Sequence, residues 1–145
     1  MNENSSDVTF KTAINGDKFL YGAEIVSTRG IPAPGEPSRL IELGRALGSN
    51  PKVDWISITD NPGGNPMLPP DWIAGRLAGM KTPLVIHLSC KDLNRNGLES
   101  AAWRYAQEGL DNILALTGDY PVAGIGGLAR PVFDLDSVSL IAMLK

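Results

Sequence analysis

One pattern recurs along this 145-residue chain: a short apolar run, a stretch rich in Gly, Pro or polar residues, then an amphipathic run that often closes on glycine. The apolar runs are Leu20–Val26, Val53–Thr59, Leu84–Leu88 and Asn112–Leu116. Their length and their Ile, Val and Leu content predict strands. Helices are predicted over Val8–Asn15 (stopped by Gly16), Pro37–Leu47, Pro70–Met80, Leu98–Glu108 and Asp134–Leu144. Pro37 suits a first helical turn and Gly48 a helix end. Leu98, Ala101, Ala102, Tyr105 and Ala106 form one apolar face of their helix. The repeat length of about thirty residues is that of a βα unit. Strands that alternate with helices in this way predict an α/β fold with a parallel sheet covered by helices.

Two architectures satisfy that pattern. One is a small doubly wound sheet, complete in itself. The other is the first half of a (β/α)8 TIM barrel, whose usual size is about 250 residues. Length favours the first and the placement of unusual polar residues favours the second. Residues 1–19 are expected to form a tail and short helix, with Met1–Ser6 disordered, and 20–145 the βα repeats.

Those unusual residues fall at strand C-termini, where parallel α/β folds build their sites. Glu24 lies in the first strand, Thr59 and Asp60 end the second, His87 is near the end of the third, and Thr117, Gly118 and Asp119 follow the fourth. The long loops, 27–36, 60–69, 89–97 and 117–131, are on the same side, while the opposite connections are short. Glu24, between Ala23 and Ile25, is expected to be buried, with a raised pKa suited to a general acid. The competing reading makes it a structural partner of an arginine, or a solvated strand end. His87, the single histidine, reads more readily as a hydrogen-bonded core residue than as a catalyst. Thr59 reads equally as a strand-end cap and Asp119 as a turn residue. Gly124-Ile125-Gly126-Gly127 lacks the Lys-Ser/Thr ending of a phosphate loop and reads as a flexible loop able to touch a cofactor. Trp55, Trp72 and Trp103 read as core or rim residues.

Composition removes several function classes. The net charge is −3 and no Lys/Arg run stands out, which argues against nucleic acid as partner. The apolar runs are far too short for a bilayer, and residues 1–7 do not resemble a signal peptide. Cys90 is the single cysteine, so no internal disulfide or cysteine-based zinc cluster is expected, and no metal site. A cytoplasmic location fits.

Four segments together resemble one family. Asn112-Ile113-Leu114-Ala115-Leu116-Thr117-Gly118-Asp119-Tyr120-Pro121 is similar to the NILALxGDxP segment of methylenetetrahydrofolate reductases. His87-Leu88-Ser89-Cys90 resembles their HLTC, Ile56-Ser57-Ile58-Thr59 their VSVT, and Ala23-Glu24-Ile25 their first-strand glutamate. Phe133–Val138 resembles the start of the helix after strand four. Order and spacing match from about residue 20 to 145.

The resemblance implies a flavin-binding (β/α)8 barrel that uses FAD to reduce 5,10-methylenetetrahydrofolate to 5-methyltetrahydrofolate. Its partners are then the folate substrate and a nicotinamide nucleotide or other electron donor. It implies Glu24 as the acid that helps open the folate ring and Asp119 as a catalytic group near flavin and folate. Thr59, His87, Leu116, Thr117, Gly118 and Asp119 would line the flavin. Where the family has Pro-Pro after its glutamate, this chain has Ser27-Thr28-Arg29-Gly30, which puts donor or folate preference in question. A chain of this length is expected to be an N-terminal fragment, inactive alone and paired with another copy or a partner subunit. The alternatives are a non-catalytic short homologue that binds a partner or nucleotide, and an unrelated barrel lyase using Glu24 and His87 with a metal.

Overall fold

A computed structural model describes residues 10–32, 38–124 and 126–145. Expectations for Met1–Ser6, for the beginning of the first helix, for the end of loop 27–36, for Pro37 and for Ile125 lie outside the described residues.

Four parallel strands form one sheet in the order β1-β2-β3-β4: Gly22–Ile25, Trp55–Ile58, Leu84–Ser89 and Ile113–Leu116. The pairing is regular. Ala23 sits opposite Ile56, Ile58 opposite Ile86, and Leu88 opposite Ala115. β2, β3 and β4 are rich in Ile, Val or Leu, and β1 contributes Ala23 and Ile25, so alternate residues can fill a core on one face. Ile25, Ile56, Ile58, Ile86 and Leu88 do so, at 1% exposure or less.

They meet apolar ridges from four helices, α2 (Arg39–Gly48), α3 (Pro70–Arg76), α4 (Arg95–Gln107) and α5 (Ser137–Leu144). Ile41, Ile73, Ala74, Leu98, Ala101, Tyr105 and Leu140 join the same buried cluster. All four helices therefore cover one face of the sheet. A doubly wound fold needs helices on both faces, so this is an α/β arrangement consistent with the first half of a barrel. The short helix α1 (Phe10–Ile14) lies at the strands' N-terminal end, with Phe10 5.5 Å from the Trp55 ring.

Several boundaries differ from the sequence expectation, each for a local reason. Helix α4 begins at Arg95, three residues early, because the Asn94 side chain accepts from the Gly97 amide and caps it. Asp136 does the same for α5, accepting from Ser139 N at 2.7 Å, so that helix starts after Asp136 instead of at Asp134. Helix α3 ends at Arg76 rather than Met80. Leu77 and Met80 still pack on the core, so the apolar spacing runs on past the helix end, through a turn at Gly79 whose φ is +85°. The flexible loop expected at 124–127 is instead part of a tight hairpin, in which β5 (Ala123–Gly124) pairs with β6 (Gly127–Leu128). Trp103 is 67% exposed and belongs to no core. No helix among the described residues is long and apolar enough to cross a membrane.

Candidate functional site

The face of the sheet away from the helices carries the polar residues. Strand alternation puts Glu24, Ser57, Val85, His87, Ser89, Leu114 and Leu116 there. Ser57, His87 and Ser89 are nevertheless buried, at 2%, 6% and 2% exposure. Two of them lack partners: neither His87 Nε2 nor Ser89 Oγ meets a hydrogen-bonding group. A buried polar atom left unpaired costs about 1–3 kcal/mol, so two such atoms two residues apart mark a place built to receive something polar.

Glu24 occupies the same face, its Oε2 3.9 Å from His87 Nε2. Its side chain is 54% exposed, contrary to the expected burial. The reason is positional: β1 is an edge strand, and no helix among the described residues covers this face. Nor does it pair with an arginine; His87 is its titratable neighbour. Burial pushes the His87 pKa down, against the opposing pull of Glu24, so the imidazole is neutral at pH 7. The expected hydrogen-bonded core histidine is thus corrected to a buried histidine with a free ring nitrogen.

The other candidates divide between two sides. Thr59 Oγ1 accepts from Ser27 N at 3.1 Å, tying the ends of β1 and β2. Thr117 Oγ1 accepts from Ser137 N at 3.1 Å and so serves the start of α5. Gly118, with φ +94°, packs directly against Ser89 and Lys91. Asp119 Oδ2 accepts from Gly63 N at 3.0 Å, and its carboxylate is exposed. Leu116 is half-buried on the inner face. The structure thus brings Glu24 and His87 together; Thr59, Thr117 and Asp119 are each engaged with a loop or helix end.

Residues 10–145 match the family model for methylenetetrahydrofolate reductase. The chain belongs to the methylenetetrahydrofolate reductase family. Membership relates the chain to folate-linked oxidoreductases, and the family is generally flavin-dependent. A comparison with curated proteins gives no match. The reductase-family match covers all four strands and every candidate residue named above.

One group in this methylenetetrahydrofolate reductase family chain, Ser89, escaped the sequence reading, and a second, Asp60, was legible only as a polar residue ending the second strand. Ser89 stands inside a quoted motif, yet only the fold leaves its hydroxyl buried and unpaired. Asp60 belongs to a polar cluster at the strand ends. It accepts from Ser89 N at 2.9 Å, near the buried Lys91, which is ion-paired with Asp92. Burial pushes the Asp60 pKa from 3.8 up to about 6, more than Ser89 and Lys91 pull it down. Among the described residues no three His, Cys, Asp or Glu side chains gather as metal ligands.

The Asp60 shift makes a stability prediction. A carboxyl whose pKa is raised by folding favours the native state most when protonated. Its cost therefore grows as pH rises from 3.8 to about 6 and is constant above. The full cost is up to about 3 kcal/mol. Asp60→Asn keeps an oxygen for Ser89 N and removes the charge. Denaturant unfolding is expected to show the variant more stable than the wild type at pH 8, with the difference closing towards pH 4. Equal stability at both pH values would refute it.

Proposed function

We propose that this chain supplies the first four βα units of a FAD-binding (β/α)8 barrel whose inner face reduces 5,10-methylenetetrahydrofolate to 5-methyltetrahydrofolate. The observation that carries the proposal is the uncovered sheet face, on which Glu24 stands 3.9 Å from a buried, unpartnered His87 Nε2. Family membership supports the reaction class.

The residues fit a bound flavin. His87 Nε2 and Ser89 Oγ are buried polar atoms without partners just beneath the face on which a heterocycle would lie. Leu116 offers apolar surface beside them. Asp119 approaches from the β4 loop, while Thr59, Thr117 and Gly118 contribute by fixing the strand ends that frame the face. When bound, the flavin supplies the hydride, taken from a nicotinamide nucleotide or another donor. Glu24 donates a proton from its carboxyl to a ring nitrogen of the folate, which opens the ring for reduction. Asp119 orients the folate.

The free edges of β1 and β4 each have one strand neighbour, so further strands, a second copy or a partner subunit complete the site. No nucleic acid or membrane takes part, and the reaction belongs in the cytoplasm. The test is turnover. The full-length product of the gene is expected to oxidise a reduced donor only when methylenetetrahydrofolate is present, and the 145-residue chain alone is expected to show none. Turnover by the chain alone would refute the need for a completed face; no substrate-dependent oxidation by the full-length product with any donor would refute the function.

A further inference from the structure

The loop between β2 and α3 touches every other loop at the strand C-termini. Leu68 N donates to Thr28 O at 2.8 Å, and Ser27 Oγ donates to Leu68 O, both after β1. Asn61 Nδ2 donates to Asp92 Oδ2 at 2.8 Å, after β3. Gly63 N donates to Asp119 Oδ2 at 3.0 Å, and Val122 N donates to Gly64 O at 2.9 Å, after β4. The loop also holds its own shape. Asn61 has a left-handed φ of 45°, and its Oδ1 accepts from Met67 N at 2.7 Å. A 3-10 turn spans Pro62–Gly64.

Gly64 is where the two loops touch most closely. A Cβ there would lie 1.9 Å from the Tyr120 carbonyl oxygen, and its φ is +73°. Backbone meets backbone, so no side chain can swing aside. Gly63, with φ +61°, differs: its Cβ would meet nothing nearer than Asn65 Nδ2 at 3.4 Å. Asn tolerates such a φ better than other side chains do. One glycine is therefore required by contact with the loop that carries Asp119; the other need only keep its N–H.

We propose that loop 61–68 is a positioning element for Asp119. The Gly63 amide fixes one carboxylate oxygen, and the close fit of Gly64 under Tyr120 sets the height of the Asp119 loop. An exposed aspartate on an untethered loop samples several rotamers; here its orientation is set from β2. Gly64 is a positioning residue, whereas at position 63 the backbone N–H alone takes part. The value of this positioning for folate rests on the proposed reductase function, whereas the tether itself does not.

The test separates the two. In the 15N-labelled chain, the Gly63 amide proton is followed through an acid titration. Its shift is expected to track protonation of Asp119, and to lose that inflection in Asp119→Ala and in Gly64→Ala. The residue-63 amide of Gly63→Asn is expected to keep it. A wild-type Gly63 amide indifferent to acid, or an inflection retained in Gly64→Ala, would overturn the proposal. If Gly64→Ala does not fold, Asp119→Ala decides alone: a lost inflection supports the tether and an unchanged one refutes it. In the full-length gene product, Gly64→Ala is expected to lower kcat about tenfold or more with flavin content unchanged, and Gly63→Asn to stay within about threefold of wild type. Equal losses in both variants would refute positioning. An intact tether in a protein with no reductase activity would leave the positioning of Asp119 standing and remove the function.

Discussion

Glu24→Gln is expected to lower substrate-dependent turnover in the full-length gene product by roughly two to four orders of magnitude, the usual loss when a positioned acid is removed. The substitution conserves shape and deletes only the transferable proton. Little of the fold depends on the carboxylate: its side chain is 54% exposed, and its nearest titratable neighbour, a neutral histidine, is 3.9 Å away. Unfolding free energy should therefore change by no more than about 0.5 kcal/mol, and flavin content should not change. Hydride transfer from donor to flavin, measured without folate, should also persist, because it needs no proton from Glu24. A variant with turnover within a fewfold of wild type would show that another group protonates the folate.

Gly118→Ala is expected to destabilise the chain by about 3 kcal/mol, of which about 1 is backbone strain at positive φ and about 2 is overpacking. Its φ is +94°, and an added Cβ would lie 2.2 Å from Ser89 Oγ and 3.0 Å from Lys91 Cβ and Cδ. Lys91 cannot yield easily, since it is 2% exposed and ion-paired to Asp92. The account can be checked by a double-mutant cycle. Ser89→Ala removes a buried unpaired hydroxyl, so alone it should stabilise the chain by about 1 kcal/mol. Combined with Gly118→Ala it should, beyond that, return about 1 kcal/mol of the loss. Urea unfolding of the four proteins reads this directly. A Gly118→Ala protein as stable as wild type would contradict the described packing of β4 against β3.

The strands were legible in the sequence because Ile56, Ile58, Ile86 and Leu88 form short apolar runs at regular spacing, and parallel strands need no more than that. Their C-terminal polar residues were legible for the same reason, as interruptions in apolar segments. Helix ends were less so. Periodicity finds Leu98 but not Asn94, and the cap sets the boundary. The hairpin at 123–128 was invisible, since two-residue strands have no period. Exposure of Glu24 was one of the readings the sequence left open, and the face that the helices cover decides between them. For Ser89 and Asp60 the meaning lies in what surrounds them. Loop 61–68 carries the least local signal of all: its contacts reach residues as far off in sequence as Asp119, and Gly-Gly announces only a turn.

The central claim, that the open face of this sheet is half of a flavin site, is tested most directly by the visible absorption spectrum of two purified proteins: the full-length gene product and the 145-residue chain. The account predicts a flavin band in the full-length product and little or none in the chain, because His87 Nε2 and Ser89 Oγ supply one side of a site that further strands complete. No band in either protein, even after addition of excess FAD, would contradict it.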